Sequence, residues 1–254
     1  AANGVIIITT KKGKKDGRTS VSYSGYVAWD RTLKTLDMMT ADELLSYAKT
    51  NNITQLNDYY NVDNPANTNW QDEVLRTGFS HNHNVSINGG NEKTNYSASL
   101  NFQDREGVVR GTNMDRLNAR TFVQTKALNN RLELALSLNA SIRNSSTGPT
   151  DIQGRSVLDA MYYYNPLVPV KNEDGTWYRN LNISQNYNPL SMINEDRYDT
   201  KEKLLQGTAQ ATLHIIDGLD WNLNLSYQNQ QYIYNMVIKQ IYFIHIQNIT
   251  VGLS

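Results

Sequence analysis

Leucine occupies every second position from 132 to 138 in the stretch RLELALSLNASIR, and this alternation constrains the fold more than any other feature of the sequence. The positions between carry Glu133, Ala135, Ser137 and Asn139. Side chains alternate between two faces along a strand but not along a helix, so the stretch predicts a β-strand. Its aliphatic face comprises Leu132, Leu134, Leu136, Leu138 and Ala140.

The same alternation recurs along the chain and predicts about seven antiparallel strands. Besides the first stretch, the segments that alternate are Ser20–Trp29, His81–Asn88, Tyr96–Phe102, Leu117–Val123, Leu205–Ile215 and Leu219–Tyr227. Short turns are predicted at Gly89–Thr94, Asn129–Asn130 and Asp217–Asp220, whereas the other connections are longer, above all Asn144–Thr200. Short turns at one end and long loops at the other are typical of an outer-membrane barrel.

Composition is compatible with such a barrel and excludes several other classes. The mean hydropathy is −0.58 and the sequence has no long uncharged apolar run of the kind that forms a transmembrane helix. The polar face of each predicted strand is rich in Asn, Gln, Ser and Thr, as expected for a wide barrel with water or a plug inside. Zero net charge argues against a nucleic-acid partner, and the absence of cysteine excludes disulfides and thiolate sites.

Two short helices are predicted inside the first long loop. In the segment LDMMTADELLSYAKTNN, Thr40 and Glu43 have the spacing of a capping box, and an apolar stripe follows them. A second short helix is predicted at Trp70–Arg76.

Candidates for catalysis or metal binding are few, and a structural role is the more economical interpretation of each. His81 and His83 share one face of a strand, but no third metal ligand is suggested nearby. The carboxylate pairs that could serve a glycosidase are Asp104/Glu106 and Glu195/Asp196, and the lysines that could attract anionic lipid are Lys11, Lys12, Lys14 and Lys15. Phosphate-loop and serine-hydrolase motifs are absent, so the sequence predicts neither an enzyme nor a cofactor.

Aromatic residues in the longest loop are the candidate ligand contacts. They surround Asn165-Pro166 and Asp174-Gly175, where the chain is expected to turn. Flat aromatic rings can stack on sugars or on peptide side chains, although they can equally pack the loop onto itself or belong to an aromatic girdle. The predicted substrate-binding residues are Tyr162, Tyr163, Tyr164, Trp177 and Tyr178.

The beginning of the sequence predicts the last strand of a preceding domain. Val5–Ile8 is a β-branched run that needs strands on both sides, and the Lys/Gly cluster after it is typical of a linker. This segment is one of several spaced blocks, which are Ala1–Gly13, Met39–Ala41, Asn69–Asp72, Gly89–Tyr96 and Asp104–Gly107. The blocks and their order resemble the SusC/RagA family of TonB-linked outer-membrane proteins.

The resemblance implies an internal fragment of a TonB-dependent outer-membrane transporter. It divides the chain into the end of a plug domain (1–13), a hinge (14–19) and the first strands of a transmembrane β-barrel in lipid (20–232). The implied activity is import of oligosaccharides or peptides into a Gram-negative, Bacteroidetes-like cell. A SusD-like surface lipoprotein would be the partner, and the TonB-ExbB-ExbD complex would supply energy.

Residues 233–254 depart from the family pattern. The segment is rich in isoleucine and lacks the Gly/Asn turn and polar loop expected after an outward strand, so it is assigned to an atypical, non-native tail. An alternative for the whole chain is a secreted β-rich glycan-binding or adhesin module. Such a module must cover the leucines of 132–138 with a second sheet, whereas a barrel leaves them to lipid.

Overall fold

One antiparallel sheet contains all the strands that the structure describes. The computed structural model describes residues 17–148, 156–180, 187–238 and, for the backbone alone, 241–251. The strands pair in chain order and are β1 (Ser20–Asp30), β2 (Gly78–Gly90), β3 (Thr94–Glu106), β4 (Asn113–Ala127), β5 (Leu132–Ser146), β6 (Arg197–Ile216), β7 (Leu219–Ile238) and β8 (Ile241–Val251). The predicted plug segment (1–13), the first half of the hinge (14–16) and the lysines noted in the sequence at 11, 12, 14 and 15 lie outside the described residues.

Five short helices lie in the connections at one end of the sheet. They are α1 (Ala41–Thr50), α2 (Leu56–Tyr59), α3 (Trp70–Val74), α4 (Val157–Tyr163) and α5 (Pro189–Glu195). The predicted capping box is confirmed, because Thr40 Oγ1 accepts from the Glu43 amide while Glu43 Oε2 accepts from the Thr40 amide. Among the described residues, no helix has the length and apolar content needed to cross a bilayer.

The predicted short turns occur at the opposite end of the sheet. Between β2 and β3, Asn91 Oδ1 accepts from the amides of Lys93 and Thr94 at 2.9 and 2.8 Å. Asn129 and Asn130 adopt positive φ values of 56° and 67° between β4 and β5, which asparagine tolerates better than most residues. Gly218, with φ of 86°, closes the turn between β6 and β7.

The strand register keeps one face of the sheet apolar from β1 to β7. Residues directly opposite one another across the sheet form a rung, and the central rung runs through Val21, Ile87, Ala98, Thr121, Leu138, Gly207 and Tyr227. The leucines of β5 remain exposed, with Leu136 at 49% of its full accessibility. No second sheet covers this apolar face in the described part of the chain, whereas a secreted glycan-binding or adhesin module would need one there.

The apolar residues form a band that crosses the rungs diagonally. Its upper edge, nearest the long loops, is at Trp29 on β1, at Phe102 on β3 and at Tyr227 on β7. Tyr227 shares a rung with Val21, whereas the edge on β1 is at Trp29, eight residues nearer the long loops. From β1 to β7 the edge therefore moves eight residues away from the loops. With about 3.3 Å per residue and about 4.8 Å between strands, that slope corresponds to a tilt of about 40°.

The tilt of the band and the aromatic residues at its upper edge identify the environment of the sheet. Strands of transmembrane barrels tilt by about 35–45° from the membrane normal, and their apolar band is about 25 Å tall and bordered by aromatic residues. Beyond the upper edge, toward the long loops, the same face carries polar side chains, including Asp104, Asp115, Asn144 and Lys203. The predicted fold class, a partial antiparallel transmembrane β-barrel with helices in long loops, is confirmed.

The strands extend beyond the predicted barrel boundary at residue 232. β7 continues to Ile238 because residues as far as Val237 remain paired with β6, where Val237 lies opposite Arg197. β8 then pairs with β7 from Ile241 opposite Ile238 to Val251 opposite Gln228. The expected polar loop is thus replaced in the backbone by continued pairing.

An introduced positive charge should affect the stability of the barrel differently on the two faces of β5. Leu136→Arg introduces a cation near the middle of the apolar band, and we expect it to destabilise the barrel by about 2–4 kcal/mol. Ser137→Arg is the matched control, because Ser137 is the next residue and lies on the polar face. The free energy of unfolding of the full-length protein in lipid vesicles measures both, and equal losses would contradict the assignment of the faces.

Candidate functional site

The loop assembly, consisting of the described parts of 31–77, 107–112 and 147–196, has a hydrophobic core of its own. The core is built from α3, α4 and α5, and the buried side chains in it are Trp70, Val74, Val157, Met161, Tyr164, Val168 and Met192. Trp70 meets the Tyr164 ring edge-on, with ring centroids 4.8 Å apart and planes at 79°. The two long loops are therefore packed into a single structure above the barrel wall.

Backbone hydrogen bonds fix the two long loops against each other. The amides of Ala66 and Thr68 donate to the carbonyls of Leu167 and Pro166, both at 3.0 Å, and the Trp70 indole donates to the Asn165 carbonyl at 3.0 Å. These bonds satisfy polar groups that the packing removes from water.

The short β3–β4 loop is also fixed to α3. The Arg110 amide donates to the Val74 carbonyl at 2.9 Å, and Arg110 Nε donates to the Glu73 carbonyl at 2.8 Å. All three described loops at this end consequently form one unit.

A cleft of about 930 Å³ opens between the two long loops. Residues 35–40 and Leu44 form one wall, 67–71 form the base, and 161–166 form the other wall. Its volume is within the range typical of small-ligand sites. Its lining combines asparagine, glutamine and threonine residues with tyrosines and Trp70, so it can accept a polar ligand with flat apolar surfaces.

Gln71 holds one wall of the cleft in place, a role that sequence reasoning did not predict. Its buried side-chain amide accepts from the Leu36 amide at 2.9 Å and donates to the Leu36 carbonyl at 2.7 Å. This two-way bond attaches an extended segment without regular structure to α3. A glutamine near the start of a predicted helix carries no signal for such a distant partner.

The predicted aromatic residues divide into exposed and packed groups. Tyr162 and Tyr163 are 36% and 86% exposed and line the cleft. Tyr164 also reaches the cleft wall, but it is only 4% exposed because it fills the core, and its hydroxyl donates to the Tyr178 carbonyl at 3.3 Å. Tyr178 packs against the same core.

Trp177 lies apart from the cleft in a small hairpin. It bridges to Lys171, whose ammonium is 4.5 Å from the centre of the indole ring. Ligand contact by the five aromatic residues stays a prediction, and exposure favours Tyr162 and Tyr163 for that role.

The histidines and carboxylates noted in the sequence have structural contacts. His83 Nδ1 lies 2.7 Å from the Tyr23 hydroxyl, and the His81 ring lies among Phe79, His83 and Phe102. In the described ranges, no three histidine or acidic side chains converge as metal ligands would.

One member of each carboxylate pair noted in the sequence is held by a side-chain contact. Glu106 pairs with Arg76 at 3.5 Å, and Glu195 Oε2 accepts from Ser191 at 2.7 Å. Asp104 lies on the apolar-face side of β3, opposite Asp115 on β4.

Burial raises the pKa of the Tyr164 phenol well above its usual range. The neighbouring phenols of Tyr178 and Tyr60 raise it further, while Arg179 opposes the shift. Burial also raises the pKa of Tyr60 and of Tyr178. The loop core thus favours neutral phenols.

No family model matches the sequence, but comparison with individual proteins identifies its class. The chain is 36% identical over 198 residues to the TonB-dependent receptor SusC of Bacteroides thetaiotaomicron, covering 74% of this chain and 18% of SusC. It is 27% identical over 234 residues to the TonB-dependent receptor P3 of Formosa agariphila, covering 90% of this chain and 23% of that receptor. The chain therefore spans about a fifth of the length of these relatives.

Solved structures show the same fold. The RagAB peptide importer in its open-open state aligns with a TM-score of 0.71 at 18% identity, covering 89% of this chain and 29% of that one. Its closed-closed state gives a TM-score of 0.69 at 17% identity and covers 30% of that chain. The chain therefore shares its fold with part of the RagAB barrel.

The chain belongs to the SusC/RagA family of TonB-linked outer-membrane proteins, as its spaced sequence blocks predict. Its relatives are receptors and transporters, so the expectation that it is not an enzyme is confirmed.

Removal of a buried side chain should loosen the loop assembly as a unit. Met192 is 2% exposed in the loop core, and Met192→Ala should destabilise the assembly by about 2–5 kcal/mol through lost packing. We expect faster amide hydrogen exchange in both α4 and α5 of the full-length protein. Leu158→Ala on α4 is the control, since Leu158 is 46% exposed; similar acceleration by both variants would argue against a shared core.

Tyr164 predicts an alkaline limit to the stability of the loop assembly. Its pKa is higher in the folded state, so the neutral phenol stabilises the assembly fully below about pH 10, and that contribution is lost as pH rises further. We expect near-ultraviolet circular dichroism to show loosening above about pH 10. Tyr164→Phe should reduce this pH dependence, and an unchanged alkaline profile would assign it to another group.

Proposed function

We propose that the chain forms part of an outer-membrane transporter that imports oligosaccharides or peptides in a Gram-negative, Bacteroidetes-like cell. The observation that carries the proposal is the diagonal apolar band with a polar face behind it. A wall of this kind separates lipid from an aqueous or plugged interior, which is what passage of a polar nutrient requires. The similarity to the RagAB peptide importer supports peptides as one class of nutrient, and the similarity to SusC supports TonB-dependent uptake.

The loop assembly is the proposed entry site for the nutrient. Its packed core adjoins the cleft at the loop end of the sheet, and exposed rings at Tyr162 and Tyr163 border the cleft. Aromatic rings provide large contact areas with little loss of conformational entropy, which suits varied sugars or side chains. Nothing in this arrangement requires covalent chemistry.

A SusD-like surface lipoprotein is the proposed partner at the loop end. The RagAB structures provide the analogy. Energy would come from the TonB-ExbB-ExbD complex acting on a plug, as expected for TonB-dependent receptors.

Energised uptake tests the proposal directly. Cells carrying the full-length protein and its lipoprotein should import labelled oligosaccharides or peptides, and import should fall to background when TonB is deleted. The TonB-deleted strain must still contain the protein in its inactive state. Any import that remains in that strain is then passive leakage and not energised import. Import that continues at the same rate without TonB would contradict the proposal.

Tyr163→Ala should weaken capture of the imported nutrient. The ring is 86% exposed at the cleft, so its loss removes contact area without disturbing the core. A stacking contact of about 0.5–1.5 kcal/mol predicts a loss of about 2–10-fold in affinity. Tyr47→Ala on α1 is the control, because Tyr47 is 50% exposed and lies outside the cleft lining. Equal effects of both variants on binding by the full-length protein would rule out a specific role for Tyr163.

A further inference from the structure

The polar face of the barrel wall carries an imbalance of charge that the proposed function does not explain. Each carboxylate on this face of the described strands has a basic neighbour within 4 Å, so these acids are already paired. The pairs are Asp30 with Arg105 at 3.6 Å, Glu133 with Lys126 at 2.7 Å, Glu202 with Arg143 at 2.8 Å and Asp220 with His214 at 2.7 Å.

Arg116 and Arg120 are the cations on this face that remain without a carboxylate among the described residues. Both belong to β4 and are exposed, and their spacing of four residues places them on the same side of the strand. Arg116 Nη2 donates only to the neutral Gln103 side chain, at 3.2 Å. The result is a local excess of positive charge within a chain whose net charge is zero.

The strand register places a third arginine beside this pair. Arg143 on β5 lies directly opposite Arg116, and like charges at opposed positions repel each other. Arg143 is engaged by Glu202, whose carboxylate also accepts from Gln230 at 2.6 Å. The shared carboxylate leaves Arg116 as the unneutralised member of the opposed arginines.

Position along the wall relates these arginines to the entry site. Arg116 lies near the start of β4, close to the 107–112 loop that is fixed to α3. Arg120 lies opposite Asn139, one rung away from the central rung, and is farther from the loops than Arg116. A nutrient leaving the loop cleft along the polar face would meet Arg116 first and Arg120 next.

We propose that Arg116 and Arg120 form an anion-binding step for nutrients that carry carboxylates. This inference rests on the proposed transport function and specifies the charge of the substrate. Guanidinium groups bind carboxylates through paired N–H donors, and such charge-assisted bonds are stronger than neutral ones. The carboxylates come from uronic acids in an oligosaccharide or from acidic residues in a peptide, and the chemistry at the arginines is the same.

Matched acidic and neutral compounds test the proposal on the purified full-length transporter. The sugar pair is tetragalacturonate and its methyl ester, and the peptide pair is amidated tetraglutamate and amidated tetraglutamine. We expect the acidic member of at least one pair to bind about tenfold more tightly at low salt, as measured by calorimetry. Which pair shows the preference distinguishes the two sources of carboxylate.

Charge-removing and charge-keeping variants connect that preference to the two arginines. Arg116→Gln with Arg120→Gln should abolish the preference, whereas Arg116→Lys with Arg120→Lys should retain most of it. Lys126→Gln with Glu133→Gln is the control, because it removes a charge pair from the same face without changing the net charge.

Three outcomes would overturn the anion-binding step. They are equal binding of acidic and neutral compounds, no binding of any of the four, and an acidic preference that survives in the glutamine variant. A glutamine variant whose plug becomes protease-sensitive while binding is unchanged would assign the arginines to plug contact instead. Continued TonB-dependent import in any of these cases would leave the transport function standing.

Discussion

The register of the antiparallel ladder is the constraint on which the rest of the structure depends. Because side chains alternate in direction, a slip of one residue between two strands would exchange their faces. Such a slip at β4 would place Arg116 and Arg120 in the apolar band and move Leu117 into the interior. The ladder from β1 to β7 keeps its register, apart from an irregularity between His214 and Ile216 at the turn end of β6. Separation of lipid from the interior therefore follows from pairing alone.

The barrel wall and the loop assembly are stabilised in different ways, because the wall faces lipid and the loop assembly lies in water. In the wall, backbone groups are satisfied between strands, and the leucines of β5 face outward instead of filling a core. In the loop assembly, Trp70, Met161 and Met192 bury apolar surface away from water, as in a small soluble domain. The hydrogen bonds from Ala66 and Thr68 to the second long loop show that the assembly depends on contacts between segments far apart in sequence.

The sequence was sufficient to predict the wall but not the arrangement of the loops. Alternation located β1 to β7, and the asparagines and glycines of the short turns marked their ends, because both are local properties. The capping box at Thr40 and the short helix at Trp70 were likewise local and were predicted. The continuation of β7 past residue 232 was not, since the absence of a polar loop was interpreted as a departure from the family and not as further pairing.

The aromatic candidates show where local patterns stop being informative. Tyr162, Tyr163 and Tyr164 are consecutive, yet only Tyr164 enters the core, because it continues the helical stripe of Val157 and Met161. That spacing could have separated the packed tyrosine from its exposed neighbours. Neither the bond from Gln71 to Leu36 nor the opposition of Arg116 and Arg143 has such a signal, since each depends on residues brought together by distant pairing.

The separate core of the loop assembly has a consequence for how proteins of this type diversify. Exposed cleft residues such as Tyr163 can be exchanged without changing either the packing around Met192 or the pairing of the strands beneath. Substitutions that alter the chemistry at the mouth are therefore uncoupled from those that would prevent membrane insertion. One scaffold can therefore acquire cleft residues that suit new nutrients, while selection preserves the strand pairing of its wall.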